Sequence, residues 1–145
     1  AEKATELGAS AIALIRSERT QRFRAQEAAR AHLERIVREA AKQTEAVRWP
    51  AIEGPLAFAD ALKTETARHR LLLDPGGGAF PDALAPGAAS LLVGPEGGWT
   101  EEERGAALAA GWRAASLPAG KLRAETAAVA ALVLARAALA RRIPH

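Results

Sequence analysis

A chain of 145 residues, 49% hydrophobic and 26% charged, with a formal net charge of +3, has enough apolar material for one packed domain and too much for a disordered or fibrous one. With 0 Cys, a disulfide framework and a thiolate metal site are excluded, and His32, His69 and His145 lie too far apart in sequence to suggest a cluster, so no metal is expected. No apolar run approaches the roughly 18 residues of a membrane span and nothing at the start resembles a signal peptide, so a cytoplasmic protein with no membrane partner is expected.

Glu2 to Leu7 is expected as a short helix stopped by Gly8, and Ala11 to Ile15 as a strand. The next segment, Arg16-Ser17-Glu18-Arg19-Thr20-Gln21-Arg22-Phe23-Arg24, is polar and dense in arginine. It reads either as a solvated loop or as a phosphate-holding loop at a strand's carboxyl end, because like charges at this density repel one another unless an anion is near. From Ala25 to about Val47, the residues Ala29, Leu33, Ile36, Val37 and Ala40 fall at helical spacing and predict a core-facing helix. Arg30 with Glu34, and Arg35 with Glu39, are i,i+4 pairs on its wetter side. Trp49-Pro50 ends that helix, and Pro55 to Leu62 reads as a second, short helix with Pro55 at or near its first turn.

Arg68 to Leu73 is a strong strand that runs out into Asp74-Pro75-Gly76-Gly77-Gly78, a loop of unusual freedom. Pro81 to Pro86 is too broken to assign. Ala89 to Val93 is the next strand, ending in Gly94-Pro95-Glu96-Gly97-Gly98. Thr100 and Glu103 have capping-box spacing, predicting a helix from Thr100 to Ala110 closed by Gly111. Trp112 to Leu117 is strand-like, Pro118 to Lys121 is a turn, and Glu125 to Arg142 is a helix whose Glu125 at the start and Arg141 and Arg142 at the end suit its dipole. Leu71 to Leu73 and Leu91 to Val93 are continuous apolar runs, as expected of strands buried on both faces. The fold class is therefore α/β, a mostly parallel sheet flanked by helices.

In such a sheet the loops Asp74–Gly78, Gly94–Gly98 and Leu117–Arg123 emerge along one edge, where open α/β sheets bind ligands. Neither a GxxxxGK[ST] loop nor a GxGxxG turn is present, and Glu96 argues against simple anion binding. A carboxylate there suits an amine, a sulfonium-bearing ligand or an arginine from elsewhere. The stretch Arg123-Ala124-Glu125-Thr126-Ala127 reads either as a capped helix start or as a site element with Arg123 facing Glu96 or a substrate.

The sequence Gly94-Pro95-Glu96-Gly97-Gly98 before an acidic helix start, followed by Leu122-Arg123-Ala124-Glu125-Thr126-Ala127, resembles the 16S ribosomal RNA uracil-N3 methyltransferase family (RsmE), part of the SPOUT, or α/β-knot, superfamily. Lys3 to Gly8, Ser17 to Thr20, and Glu39 to Thr44 with Pro50 and Ile52 resemble further segments of that family in the right order, so the resemblance covers essentially the whole chain. It implies a C-terminal trefoil knot, an obligate homodimer whose site uses both subunits, and S-adenosyl-L-methionine as cofactor. The cofactor-binding positions it implies are Leu73, Asp74, Gly94, Pro95, Glu96, Gly97, Gly98, Leu117, Pro118, Leu122 and Ala127. Residues 1–145 would then be the methyltransferase domain, and the chain, with 0 Met, is expected to be a piece of a longer protein whose N-terminal PUA-like RNA-binding domain is absent here.

The expected reaction is methylation of N3 of a uridine in the ribosomal RNA of the small subunit. Arg123 is the candidate for stabilising charge on the base, with Glu96 or Glu125 orienting it or relaying a proton. Arg16, Arg19, Arg22, Arg24, Arg48 and Lys121 are the candidates for holding RNA. Ala46, Pro118 and Gly120 depart from the family pattern, which bears on RNA contacts more than on the cofactor. The rivals are a knotted methyltransferase acting on a ribose 2′-hydroxyl or a tRNA base, a non-catalytic RNA-binding module with a vestigial pocket, and a small nucleotide-binding α/β domain, the last weakened by the missing phosphate loop.

Overall fold

The computed structural model describes residues 1–20, 26–43 and 49–141. Its strands form two parallel ladders: β1 (Ala11–Arg16) beside β2 (Ala51–Ala57), and a 3-stranded sheet in which β3 (His69–Ala79) lies between β4 (Ala89–Leu92) and β5 (Arg113–Ser116). The helices are α1 (Glu2–Glu6), α2 (Gln26–Gln43), α3 (Phe58–Thr64), α4 (Glu101–Ala109) and α5 (Ala124–Ala140). The expected architecture, parallel strands alternating with covering helices, is the one observed.

Strand β3 is the hub because its leucines serve both faces. Leu72 packs with Phe58 and Leu62 of α3, Ala107 of α4, Leu92 and Trp112. Its neighbours Leu71 and Leu73 pack on the other side with Phe80, Ala115 and the α5 residues Ala131 and Ala135. Successive side chains of a strand point to opposite faces, so an unbroken leucine run requires a helix layer on each side. Alanines at 131, 135 and 138 are almost fully buried and let the α5 backbone approach the sheet closely.

Several boundaries differ from the sequence expectations. Pro55 lies in strand β2, not in a helix, and the short helix begins only at Phe58. The Gly54–Pro55 peptide is cis, and Gly54 has a φ of +91° with its Cα face against the Leu14 carbonyl. Proline lacks the N–H a ladder needs, but among the described residues β2 is an edge strand paired only with β1, and the register slips between Ala13 and Ile15 to admit it. The Arg30–Glu34 pair forms at 3.0 Å. Glu39, however, pairs with Lys42 at 3.5 Å rather than with Arg35, which contacts His32. The expected extension of α2 to Val47 lies outside the described residues, as does Arg142, the expected end of the C-terminal helix. Arg141 caps α5 instead of occupying its last turn.

The Asp74–Gly78 loop is an excursion within a strand. Leu73 pairs with Ala115, the chain loops out, and Gly78 returns to pair with the same Ala115. A Cβ on Gly77 would stand 2.7 Å from the Ala114 and Ala115 backbone, so only glycine permits this return.

Candidate functional site

The three parallel strands β4, β3 and β5 end on one edge, and their loops enclose a cavity of about 830 Å³. That volume lies within the usual range of small-molecule sites. Its floor is apolar, made by Leu73, Val93, Ala115, Leu117, Leu122 and Ala127. Its walls carry Asp74, Gly94, Pro95, Glu96, Gly97, Gly98 and Trp99, with Lys121 from the turn before α5. Of the positions expected to bind the cofactor, all but one line this space. The exception is Pro118, which lines a smaller cleft of about 250 Å³ with Phe80, Asp82 and Arg141.

Local chemistry holds the glycine loop in shape. Gly98 takes a φ of +71°, and its N–H donates to the Pro95 carbonyl at 2.8 Å, closing a turn. A Cβ on Gly94 would meet the Trp99 indole at 3.0 Å. The indole therefore lies directly against the loop backbone. Its Nε1–H donates to the Leu73 carbonyl at 3.0 Å, and its ring rests 5.4 Å from that of Phe58. Trp99 thus ties the β4 loop to β3 at Leu73, where the strand's excursion begins.

Beyond the loop, the capping box forms. The Glu103 N–H donates to Thr100 Oγ1 at 3.1 Å, and the Thr100 N–H donates to Glu103 Oε2 at 3.0 Å. The remaining Glu103 oxygen, Oε1, accepts the Glu18 N–H at 2.7 Å. One buried carboxylate therefore joins the start of α4 to the loop after β1. That loop is itself a tight turn in which Thr20 Oγ1 accepts the Ser17 N–H at 3.1 Å. From it Arg19 reaches into the cavity wall, where Nη1 donates to the Gly97 carbonyl at 2.7 Å and to the Trp99 carbonyl at 3.4 Å.

A second bracket holds the β3 excursion. Arg104 Nε donates to Asp74 Oδ2 at 2.5 Å, while Asp74 Oδ1 accepts the Gly76 N–H at 2.9 Å. Burial pushes the Asp74 carboxyl up, but the Arg104 hydrogen bond, the Gly76 N–H and the Arg104 charge outweigh it and hold the group below its ordinary value. The same pair raises Arg104 above its own.

The remaining candidates divide. Glu96 lines the cavity, is exposed, and has no ion-pair or hydrogen-bond partner among the described residues. Arg123 and Glu125 do not line it. Arg123 is the exposed N-cap of α5 and Glu125 lies in that helix's first turn, although Leu122 and Ala124, on either side of Arg123, both line the cavity. Lys121 and Arg19 line it, Arg16 ends β1 away from it, and Arg22, Arg24, Arg48 and Ala46 lie outside the described residues. Trp99, Glu101 and Arg104 are lining residues that sequence reasoning did not assign to the site. Trp99 directly follows the glycine loop, a signal that an aromatic anchor stands there; Arg104 gives no local signal, since its partner is thirty residues away.

This donor set suits one class of ligand. Arg19 and Arg104 already donate to groups of the protein, so among the described residues the cavity offers no cradle of unpaired arginines for a polyphosphate. It offers an apolar floor, glycine backbone and the unpaired carboxylate of Glu96, a combination that fits a cationic ligand with a flat apolar part, as S-adenosylmethionine is.

A family model described as RNA methyltransferase domain matches residues 1–136. The chain is 36% identical over 143 residues to a Synechocystis protein named ribosomal RNA small subunit methyltransferase E, a match that covers 93% of this chain and 47% of the relative. It superposes with a TM-score of 0.86 and 33% identity on a ribosomal RNA small subunit methyltransferase E from Neisseria gonorrhoeae bound to S-adenosyl methionine, covering 95% of this chain and 59% of that one. A Legionella pneumophila chain solved with bound SAM matches with a TM-score of 0.83 and 28% identity over 94% of this chain and 59% of that one. The chain thus spans about half the length of the curated relative it matches.

Proposed function

The chain belongs to the RNA methyltransferase domain family, and on that premise we propose that it transfers a methyl group from S-adenosylmethionine to N3 of a uridine in 16S ribosomal RNA. The observation that carries this reading is the convergence of the β3, β4 and β5 loops on one apolar-floored cavity that presents, among the described residues, the carboxylate of Glu96 and no unpaired arginine. Bound there, the cofactor supplies an electrophilic methyl group on a sulfonium centre.

The protein's part is to hold, orient and manage a proton. Uracil N3–H is a weak acid, so negative charge develops on the base as N3 reacts. Arg123, at the N-cap of α5 and flanked by two cavity-lining residues, is the group proposed to face that charge, aided by the positive end of the helix. Glu96, unpaired at the rim, and Glu125, in the first turn of α5, are proposed to orient Arg123 or accept the proton. Holding base and methyl group in line supplies much of the remaining rate, and the base must leave any stack to be reached. Lys121 and Arg16 are proposed to hold RNA phosphates. The proposal includes a homodimer that completes the site, a C-terminal knot that carries the cofactor loops, and an RNA-binding PUA-like domain upstream.

The test is to incubate the full-length protein with S-adenosylmethionine and small-subunit RNA, then digest the RNA and identify methylated nucleosides by mass spectrometry. N3-methyluridine is expected. Methyl groups on ribose or on a tRNA base would move the protein to another substrate. No methylation, with no S-adenosylmethionine binding by calorimetry, would leave an RNA-binding module.

A further inference from the structure

Arg19 belongs to an arginine-rich segment whose composition points to phosphate contacts, yet its surroundings give it another task. Its backbone is pinned on both sides: the Glu18 N–H is held by the buried Glu103 carboxylate at 2.7 Å, and the Thr20 N–H donates to the Ser17 carbonyl at 3.1 Å. The Ser17 and Thr20 hydroxyls meet at 2.7 Å and complete the turn. The fixed backbone sets where the side chain starts, and the contacts of the guanidinium must order its rotamers. The side chain runs into the wall of the cavity, where the guanidinium donates to the Gly97 and Trp99 carbonyls at 2.7 and 3.4 Å.

The contact also depends on shape. A Cβ on Gly97 would stand 3.3 Å from Arg19 Cδ and 3.4 Å from its Cβ, so the arginine stem lies along the glycine backbone. Gly97 is one of the residues between Gly94 and Trp99 that form the cavity's wall, and among the described residues Arg19 is the one group from outside the loop that donates to its carbonyl. We propose that Arg19 is a positioning residue for S-adenosylmethionine, acting through the Gly97 carbonyl to hold the Gly94–Trp99 loop in its cofactor-binding shape, and not a phosphate contact. This rests on the cofactor assigned under the proposed function.

Full-length protein, the Arg19→Ala and Arg19→Lys variants, and Gly97→Ala with and without Arg19→Ala are compared by calorimetry with S-adenosylmethionine and by RNA binding across a salt series. Arg19→Ala is expected to bind the cofactor about tenfold more weakly, the scale of one lost charge-assisted hydrogen bond. The slope of log RNA affinity against log salt is expected to stay at the wild-type value. Arg19→Lys, which keeps a donor of nearly the same reach, recovers part of the cofactor affinity. Gly97→Ala, whose Cβ would crowd the Arg19 stem, weakens binding in both backgrounds, but by less in Arg19→Ala, where that stem is gone. Cofactor affinity unchanged in Arg19→Ala, whether or not the salt slope becomes shallower, overturns the proposal; a shallower slope would mark a phosphate contact instead. Failure of the wild-type protein to bind the cofactor overturns the proposed function itself, a result distinct from failure of the variant comparison.

Discussion

Asp74 is pulled in opposite directions, up by burial and down by Arg104 and the Gly76 N–H, and the downward pull wins. Its folded value lies below its unfolded one, so the stabilisation it provides is present above the ordinary value of 3.8 and is lost as pH falls through the lower folded value. In urea unfolding, the wild-type protein should lose stability below about pH 4 more steeply than Asp74→Asn, the two curves converging in acid. Near neutrality the variant should be less stable by about 1 kcal/mol. Arg123 is a different case, because it stands beside the cavity and not in its lining. Arg123→Ala is therefore expected to lower kcat by about a hundredfold while S-adenosylmethionine affinity, measured by calorimetry, stays within about twofold. Equal losses in both would place Arg123 in cofactor binding.

Among the elements, α4 shows how far local pattern reaches. The Thr100–Glu103 spacing reveals the capping box because each partner lies within one turn of the other. It does not reveal that the second carboxylate oxygen of Glu103 holds the loop after β1, since Glu18 is 85 residues distant. Thr100→Ala is expected to cost about 1 kcal/mol, the usual value of an N-cap. Glu103→Ala, which strands two backbone donors, is expected to cost about 2 kcal/mol or more by urea denaturation. Strand β2 shows the opposite limit. Gly54 and Pro55 are breakers by every local rule, and only pairing with β1 at an edge makes the segment a strand. At the far end of α4, Gly111 has a φ of +85°, a left-handed conformation that strains any residue with a Cβ. Gly111→Ala should therefore destabilise by about 1 kcal/mol or more, read from the same denaturation curves.

For the molecule as a whole, the cavity links the 3-stranded sheet to the loop after β1, which comes from the other ladder. A ligand bound there bridges these parts and should stabilise all of them together. With S-adenosylmethionine at about a hundred times its Kd, mass action adds roughly 2.7 kcal/mol. For a domain of this size that raises Tm by about 5–10 °C, to be read by scanning calorimetry. Absence of any shift at that excess would argue that the cavity does not take this ligand.

The alternation of strands and helices, the burial of Leu71 to Leu73 in β3, the capping box and the glycine loops that line the cavity are legible in the chain alone, whereas of the run Leu91 to Val93, which begins in β4 at the edge of the described sheet, only Leu92 is fully buried. Each of the legible features is written in neighbouring residues, through side-chain periodicity, backbone freedom or a hydrogen bond within one turn. The tertiary structure decided the strand character of Ala51–Ala57, the return of β3 to Ala115 after its excursion, and the partners of Asp74, Glu103 and Arg19. Those partners come from distant parts of the chain and meet only when parallel strands bring their ends to one edge. Composition could therefore mark Arg19 as a cation, but only the folded neighbourhood, with the Gly97 carbonyl 2.7 Å away, gives that cation a direction.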